Sequence, residues 1–117
     1  MLMEGNLRIL HLNVSKRKQV QLSLLLDETL RDFDVLTVVE PYLYRDPNTG
    51  KPEVTTQKNW QLFTPSVYDT QREPRHAFRS LLWVNARCKA KAVYVDSSDI
   101  TAVLLQAAHG AVLVTNK

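Results

Sequence analysis

Asp34-Val35-Leu36-Thr37-Val38-Val39-Glu40-Pro41 is the stretch that decides the fold of this 117-residue chain. Its centre is a nearly continuous apolar run rich in β-branched residues, which predicts a strand buried on both faces. Pro41 ends the strand, because proline cannot donate to a ladder in mid-sheet. We therefore expect Glu40 at the C-terminal end of a core strand, which suits a metal or phosphate site. The alternative is an ordinary exposed glutamate at a strand end.

The residues before this stretch predict a second strand and a helix. Leu7–Asn13 alternates as a strand does, and Ser15 is a predicted helix N-cap. The following segment, from about Lys16 to Leu30, predicts an amphipathic helix. Its apolar stripe is formed by Leu22, Leu25, Leu26 and Leu30. Strand, helix and strand form a βαβ unit with parallel strands, so Asn13 and Glu40 should end side by side where α/β proteins bind ligands.

The remainder of the chain predicts loops and an antiparallel meander. Tyr42–Asn59 has the composition of a surface loop with a turn at Asp46–Gly50, Trp60–Phe63 is a short strand, and Tyr68–His76 is a second polar loop. Four strands follow with short turns between them, which favours antiparallel pairing of neighbours. They are Phe78–Asn85, Lys91–Val95, Ile100–Gln106 and Ala111–Asn116. The predicted fold class is α+β, with residues 1–117 forming one domain.

A single helix covers only one face of the predicted sheet, and the other face needs a further layer. The last strand, Ala111–Asn116, is still in full strand pattern where the sequence ends. We therefore expect a partial domain that is truncated at its C-terminus. Its uncovered apolar face and unpaired edge predict self-association.

Composition limits the classes of function. A net charge of +3 is compatible with a nucleic-acid partner but does not require one. No apolar run approaches the roughly 20 residues of a membrane span, so no membrane partner is expected. The single cysteine, Cys88, predicts a reducing, intracellular compartment. Its basic neighbours are compatible with a lowered thiol pKa, and the alternative is an incidental cysteine.

A basic cluster in and just beyond the second polar loop is the strongest candidate for contact with phosphate. It comprises Arg72, Arg75, His76 and Arg79. Such residues bind the backbone of DNA and position it without reading its sequence. The alternative is a solvated loop with scattered charge.

Several short motifs resemble one known superfamily. Leu7–Asn13, ending in His11-Leu12-Asn13, is similar to the first strand of the endonuclease/exonuclease/phosphatase superfamily, which has the deoxyribonuclease-I-like fold. Asp34–Pro41 resembles its second strand, which ends in a metal-binding glutamate. That glutamate followed by proline and an aromatic residue, and the strand Phe78–Asn85 with its Arg-x-x-x-x-Val-Asn pattern, most resemble the endonuclease domains of non-LTR (LINE-type) retrotransposons. His11 and Val39 stand where the family usually has glutamine.

The resemblance implies the N-terminal half of a four-layer α/β sandwich and hydrolysis of phosphodiester bonds in DNA. By this resemblance Glu40 holds Mg²⁺ or Mn²⁺, and Asn13, a catalytic and metal-site residue, orients groups around the metal and the phosphate. The implied partners are DNA, a C-terminal half-domain and a reverse transcriptase in the parent protein. The implied location is the nucleus.

The family's later motifs have no counterpart in this chain. Its catalytic tyrosine should follow Asn116 by two positions, and its Asp-x-Asn and Asp-His pairs come further along. One acidic ligand and one asparagine do not position an attacking water. We therefore expect the isolated chain to be inactive and leave open whether it is an enzyme. The alternative is a non-catalytic binding or assembly module that retains the βαβ half.

Overall fold

The computed structural model describes residues 7–66, 79–97, 99–107 and 110–117. Over these ranges the chain forms nine strands, one α-helix and one 3₁₀ helix. The elements are β1 (Ile9–Asn13), α1 (Lys18–Leu26), the 3₁₀ helix (Glu28–Asp32), β2 (Val35–Val39), β3 (Tyr44–Arg45), β4 (Pro52–Glu53), β5 (Trp60–Phe63), β6 (Ser80–Asn85), β7 (Ala90–Ala92), β8 (Thr101–Ala107) and β9 (Gly110–Asn116).

The βαβ unit is formed as predicted. β1 and β2 are parallel neighbours in a four-stranded sheet of order β1-β2-β6-β5. Four of the five β2 residues are buried, as the apolar run predicts. Asn13 is the register partner of Val39, so both strands end at the same edge of the sheet. Mixed sheets with one helix in the described residues confirm the α+β class.

The predicted four-stranded meander is wrong at its first strand. β6 is antiparallel to β2 on one side and to β5 on the other, so it lies inside the first sheet. All six of its residues are buried, because the sheet has packed layers on both faces. β7, β8 and β9 form the meander, as a separate three-stranded sheet. Its first strand is Ala90–Ala92, shorter than the predicted Lys91–Val95.

Both faces of the first sheet are covered, which corrects the expectation of an open apolar face. α1 and the residues after it pack on one face, against Leu36, Val38, Leu81 and Trp83. The second sheet packs on the other face, where Val103, Leu105 and Val114 meet Val35, Leu82 and Val84. The missing layer is therefore supplied by the chain's own meander. Large apolar groups remain exposed on the second sheet, with Leu113 at 58%.

The helix is shorter and rotated relative to its prediction. It begins at Lys18, its N-cap is Arg17 with no side-chain cap, and Ser15 is therefore not the cap. Asp27 ends the α-helix in an extended conformation, and its carboxylate accepts from the Thr29 N–H to start the 3₁₀ helix. The buried helix positions are Gln21 and Leu25, whereas Leu26 is 67% exposed. The buried face of α1 therefore differs from the predicted apolar stripe, because Gln21 is buried whereas Leu26 is exposed.

The predicted loop over Tyr42–Asn59 contains a small hairpin. β3 and β4 pair antiparallel across the predicted turn, in which Asp46 Oδ1 accepts from the Asn48 N–H and Gly50 has a φ of 72°. Val54 returns from this hairpin into the core and is 4% exposed. Within the described residues, no helix has the length and apolar character to span a membrane.

Candidate functional site

Asn13 and Glu40 meet at the C-terminal edge of the two parallel strands. Asn13 is the last residue of β1 and lies opposite Val39, so Glu40 is the next residue along the neighbouring strand. Both side chains are exposed. The predicted juxtaposition of the two strand ends is therefore present, whereas their assignment as metal ligands stays a prediction.

The backbone of Glu40 is held on both sides. Its N–H donates to the carbonyl of Arg79, 2.9 Å away, and its carbonyl accepts from the N–H of Lys16 at 2.8 Å. Arg79 comes directly before β6, and Lys16 lies in the turn between β1 and α1. Glu40 thus belongs to the rigid sheet edge although it lies one residue beyond its strand.

Three residues at this edge have the left-handed backbone conformation. Ser15, Lys16 and Glu40 have φ values of 53°, 59° and 52°, and they are the non-glycine residues with positive φ in the described chain. An L-residue in this region costs roughly 1 kcal/mol relative to the right-handed conformation. Among the described residues, left-handed backbone strain outside glycine is thus confined to the sheet edge that carries Glu40.

The side chain of Asn13 stabilises the turn that follows β1. Its Oδ1 accepts from the Ser15 N–H at 2.8 Å and from the Ser15 hydroxyl at 3.1 Å. Ser15 therefore hydrogen-bonds to Asn13 and does not cap α1, which was the role predicted for it. Two residues earlier, His11 Nδ1 lies 2.6 Å from the Thr37 hydroxyl, on the face of β1 that also carries Asn13. Within the part of the chain that the structure describes, the amide nitrogen of Asn13 has no hydrogen-bond acceptor, whereas its oxygen is bonded to Ser15.

A buried glutamine fixes the chain just after Glu40. Gln21 is 1% exposed on α1, and its Oε1 accepts from the Tyr42 N–H at 2.8 Å. Its Nε2 donates to the Tyr42 carbonyl at 3.0 Å. Because both backbone groups of Tyr42 are taken, α1 sets the direction in which the chain leaves the sheet after Pro41.

Buried polar groups join the second sheet to the first beneath this edge. Asn116 Nδ2 donates to the carbonyls of Val38 and Leu81 at 2.7 and 2.9 Å. Thr101, opposite Asn116 in the second sheet, has its hydroxyl 3.1 Å from that of Ser80. These bonds fix the position of the second sheet relative to β2 and β6.

The donors at this edge fit a divalent cation that keeps most of its water. The described residues contain no group of three or more histidine, cysteine or acidic side chains suited to a metal. Mg²⁺ commonly binds one or two carboxylates together with water and substrate phosphates, rather than an all-protein cage. Glu40 supplies one exposed carboxylate oxygen pair on a fixed backbone, which meets that requirement.

The predicted basic cluster lies largely outside the described residues. Arg72, Arg75 and His76 are in the stretch 67–78, of which nothing is described, whereas Arg79 is exposed beside Glu40. Sequence reasoning missed Lys16, whose N–H contacts the Glu40 carbonyl. Its position in a run of three basic residues, Lys16-Arg17-Lys18, was the available signal.

Cys88 is at the opposite end of the first sheet and is buried. Burial raises the pKa of its thiol, and the nearby carboxylate of Asp34 raises it further. The lowered pKa considered from its basic neighbours is therefore wrong. Arg87, the nearest of them, donates to Asp34 Oδ1 at 2.8 Å and so is engaged with that carboxylate.

The sheet edge and the two packed sheets form a nuclease-like α+β fold. A solved structure with this fold is the "Endonuclease domain of TRAS1, a telomere-specific non-LTR retrotransposon", with a TM-score of 0.65 and 12% identity. The match covers 95% of this chain and 43% of that one, so the chain spans less than half of its length. The predicted resemblance to non-LTR retrotransposon endonuclease domains is confirmed at the level of the fold. No family model matches the sequence, and no curated protein matches it.

Proposed function

We propose that this chain is part of a metal-dependent endonuclease that hydrolyses phosphodiester bonds in DNA, as in non-LTR retrotransposons. Glu40 holds Mg²⁺ or Mn²⁺, and the amide of Asn13 donates to the phosphate. In the complete domain the chain forms the N-terminal half of a four-layer sandwich, and a reverse transcriptase belongs to the same parent protein. Such an enzyme acts on genomic DNA in the nucleus.

The conformation of Glu40 is the single observation that carries this proposal. A carboxylate occupies a left-handed position with a φ of 52°, where glycine would be more stable. Backbone strain of this kind persists where the surrounding structure enforces it and concentrates at functional sites. Lys16 and Arg79 hold both backbone groups of Glu40, so the point from which its side chain leaves the sheet edge is fixed.

Each residue at the edge has a distinct role in the proposed chemistry. A divalent cation bound by Glu40 would supply charge neutralisation at the scissile phosphate. Asn13 orients the phosphate through its amide N–H₂, because its oxygen is used by Ser15. Together they bind and position a phosphodiester. Activation of water requires a general base, which we assign to residues of the endonuclease outside this chain.

Binding of Mn²⁺ tests this assignment without relying on activity. We expect paramagnetic resonance of Mn²⁺ to detect binding to the chain in the presence of a short DNA duplex. Glu40→Gln should weaken this binding at least tenfold. Glu28→Gln, which removes an exposed carboxylate from the 3₁₀ helix that precedes the start of β2, is the matched control and should change nothing. Equal Mn²⁺ affinity of the Glu40→Gln variant and the unchanged protein would refute the site.

The isolated chain is expected to bind the metal without cutting DNA. Nicking of supercoiled plasmid with Mg²⁺ or Mn²⁺ should equal that of the Glu40→Gln variant. Nicking that depends on Glu40 would show that the chain contains its own base. The second candidate is a non-catalytic binding or assembly module, favoured by the closed packing of both faces of the first sheet. It predicts DNA or protein binding with no Mn²⁺ affinity that depends on Glu40.

A further inference from the structure

Two cationic residues flank Glu40, one on each side along the sheet edge. Lys16 reaches it from the β1 side and Arg79 from the β6 side, each through a backbone hydrogen bond to Glu40 itself. Both side chains are exposed. The backbone of Glu40 thus lies between the backbones of two cationic residues and is hydrogen-bonded to both.

We propose that Lys16 and Arg79 form a clamp for the DNA backbone, which contacts the phosphates on either side of the one at Glu40. This inference rests on the proposed function and identifies how the substrate lies at its site. The nucleic-acid strand runs across the ends of β1, β2 and β6, perpendicular to the strands. Arg17 and Lys18, exposed beside Lys16, extend the contact on the β1 side.

The spacing of the sheet supports this direction. Neighbouring strands are about 4.8 Å apart, so the attachment points of the two cations are separated by roughly 10 Å. Each strand of duplex DNA has a phosphate every 3.4 Å or so along its axis. A span of about 10 Å therefore covers some three phosphates, and the long, flexible lysine and arginine stems reach the outer two.

The left-handed conformation of Lys16 gives a second argument. Lys16 has a φ of 59°, a conformation that asparagine or glycine adopts at lower cost. The same turn is held by the side chain of Asn13 and by the carbonyl of Glu40. A lysine in this place has its backbone set by the site it flanks, whereas a solvated lysine elsewhere on the surface has no such constraint.

Salt-dependent binding to DNA tests the clamp. We would measure the fluorescence anisotropy of a labelled 20-base-pair duplex in EDTA, from 50 to 200 mM salt. Each phosphate contact contributes about 0.9 to the slope of log K against log salt. We expect Lys16→Asn and Arg79→Gln each to lower the slope by about 1, and the double variant by about 2. Asparagine suits the left-handed backbone, and thermal melts would confirm that each variant is folded.

Matched controls use two exposed lysines beyond the opposite end of β6, changed in the double variant Lys89→Gln/Lys91→Gln. This variant should keep the slope within about 0.3 of the unchanged protein, less than one phosphate contact. An unchanged slope in the Lys16→Asn/Arg79→Gln variant, or an equal fall in the control, would overturn the clamp. Because EDTA removes the metal, this outcome is independent of the Mn²⁺ test. A clamp without Mn²⁺ affinity at Glu40 would refute the nuclease and leave DNA binding.

Discussion

Replacing Gln21 by leucine should destabilise the whole domain and disturb the site at its edge. Gln21 is buried, and its amide bonds both the N–H and the carbonyl of Tyr42, two residues beyond Glu40. Leucine has nearly the same volume and a similar helix propensity, so Gln21→Leu removes these two hydrogen bonds without opening a large cavity. The change in the free energy of unfolding therefore measures how much the hydrogen bonds between α1 and Tyr42 stabilise the domain.

The expected loss of stability follows from the two bonds. A buried backbone group left without a partner costs about 1–3 kcal/mol, hence roughly 4 kcal/mol for the two groups of Tyr42. Burial of the leucine side chain returns about 1.5 kcal/mol. The net loss is about 2.5 kcal/mol, a large share of the 5–15 kcal/mol or so that stabilises a domain. For 117 residues this lowers Tm by about 10 °C.

Urea unfolding followed by circular dichroism would measure this change, with Gln19→Leu on the exposed side of the same helix as the control. Gln19→Leu should stay within about 0.5 kcal/mol of the unchanged protein. Gln21→Glu separates hydrogen bonding from volume: its carboxylate faces the Tyr42 carbonyl, so burial raises its pKa. Its stability should therefore recover as pH falls and the protonated acid donates to that carbonyl. A loss below 0.5 kcal/mol or so in Gln21→Leu would refute the connection between α1 and Tyr42.

Three further substitutions or reagents test other parts of the structure. Glu40→Gly should stabilise the domain by about 1 kcal/mol, because glycine adopts the left-handed backbone conformation without strain. The same change should remove Mn²⁺ binding, because it removes the carboxylate. A lower stability of the variant in urea unfolding would contradict the strain at Glu40. Asn116→Ala should lower the free energy of unfolding by about 2 kcal/mol, because it removes two buried hydrogen bonds between the sheets. The exposed control Thr115→Ala should lower it by less than about 0.5 kcal/mol. Equal losses in the two variants would count against the inter-sheet contact. Cys88 should react with iodoacetamide at pH 8 only in denaturant, because burial and the carboxylate of Asp34 raise the pKa of its thiol. The free energy of unfolding should fall as pH rises above the ordinary thiol pKa, because the thiol then ionises more readily in the unfolded chain. Rapid labelling of the folded protein would refute the burial of Cys88.

The sequence was sufficient to predict the βαβ unit and its edge. Continuous apolar character over Val35–Val39 indicated burial on both faces, and the proline that follows set the end of the strand. Parallel pairing then followed from the helix between the strands. These inferences are local or nearly so, which is why Asn13 and Glu40 could be placed at one edge.

The division into two sheets could not be derived from the lengths of the turns. Short turns favour pairing between neighbours, but β6 pairs with β2, with Val38 opposite Leu81. The signal was present in Ser80–Asn85, which shows no alternation and, like Val35–Val39, has the character of a strand buried on both faces. Which two strands flank it depends on tertiary packing, and periodicity does not encode that choice.

The helix stripe and the place of Lys16 beside Glu40 were missed for a related reason. Hydrophobic periodicity placed Leu26 in the core and overlooked Gln21, because a buried polar side chain is recognisable only when its partner, here the backbone of Tyr42, is known. Left-handed residues are usually predicted from glycine or asparagine. Ser15 and Lys16 are neither, so the left-handed turn that places Lys16 beside Glu40 had no local signature, although the basic run itself was visible.

The strain at the edge and the packing beneath it form one physical arrangement. Three left-handed residues cost roughly 3 kcal/mol together, an amount that glycines at these positions would avoid. The cost is met because rigid elements hold the edge: Asn116 fixes the second sheet against β2 and β6, and Gln21 fixes α1 against Tyr42. These contacts include Val38 and Tyr42, which lie two residues before and two residues after Glu40. Because its backbone is held in this way, Glu40 has only side-chain freedom to lose when it contacts a ligand, and this is a form of preorganisation that the proposed metal site requires.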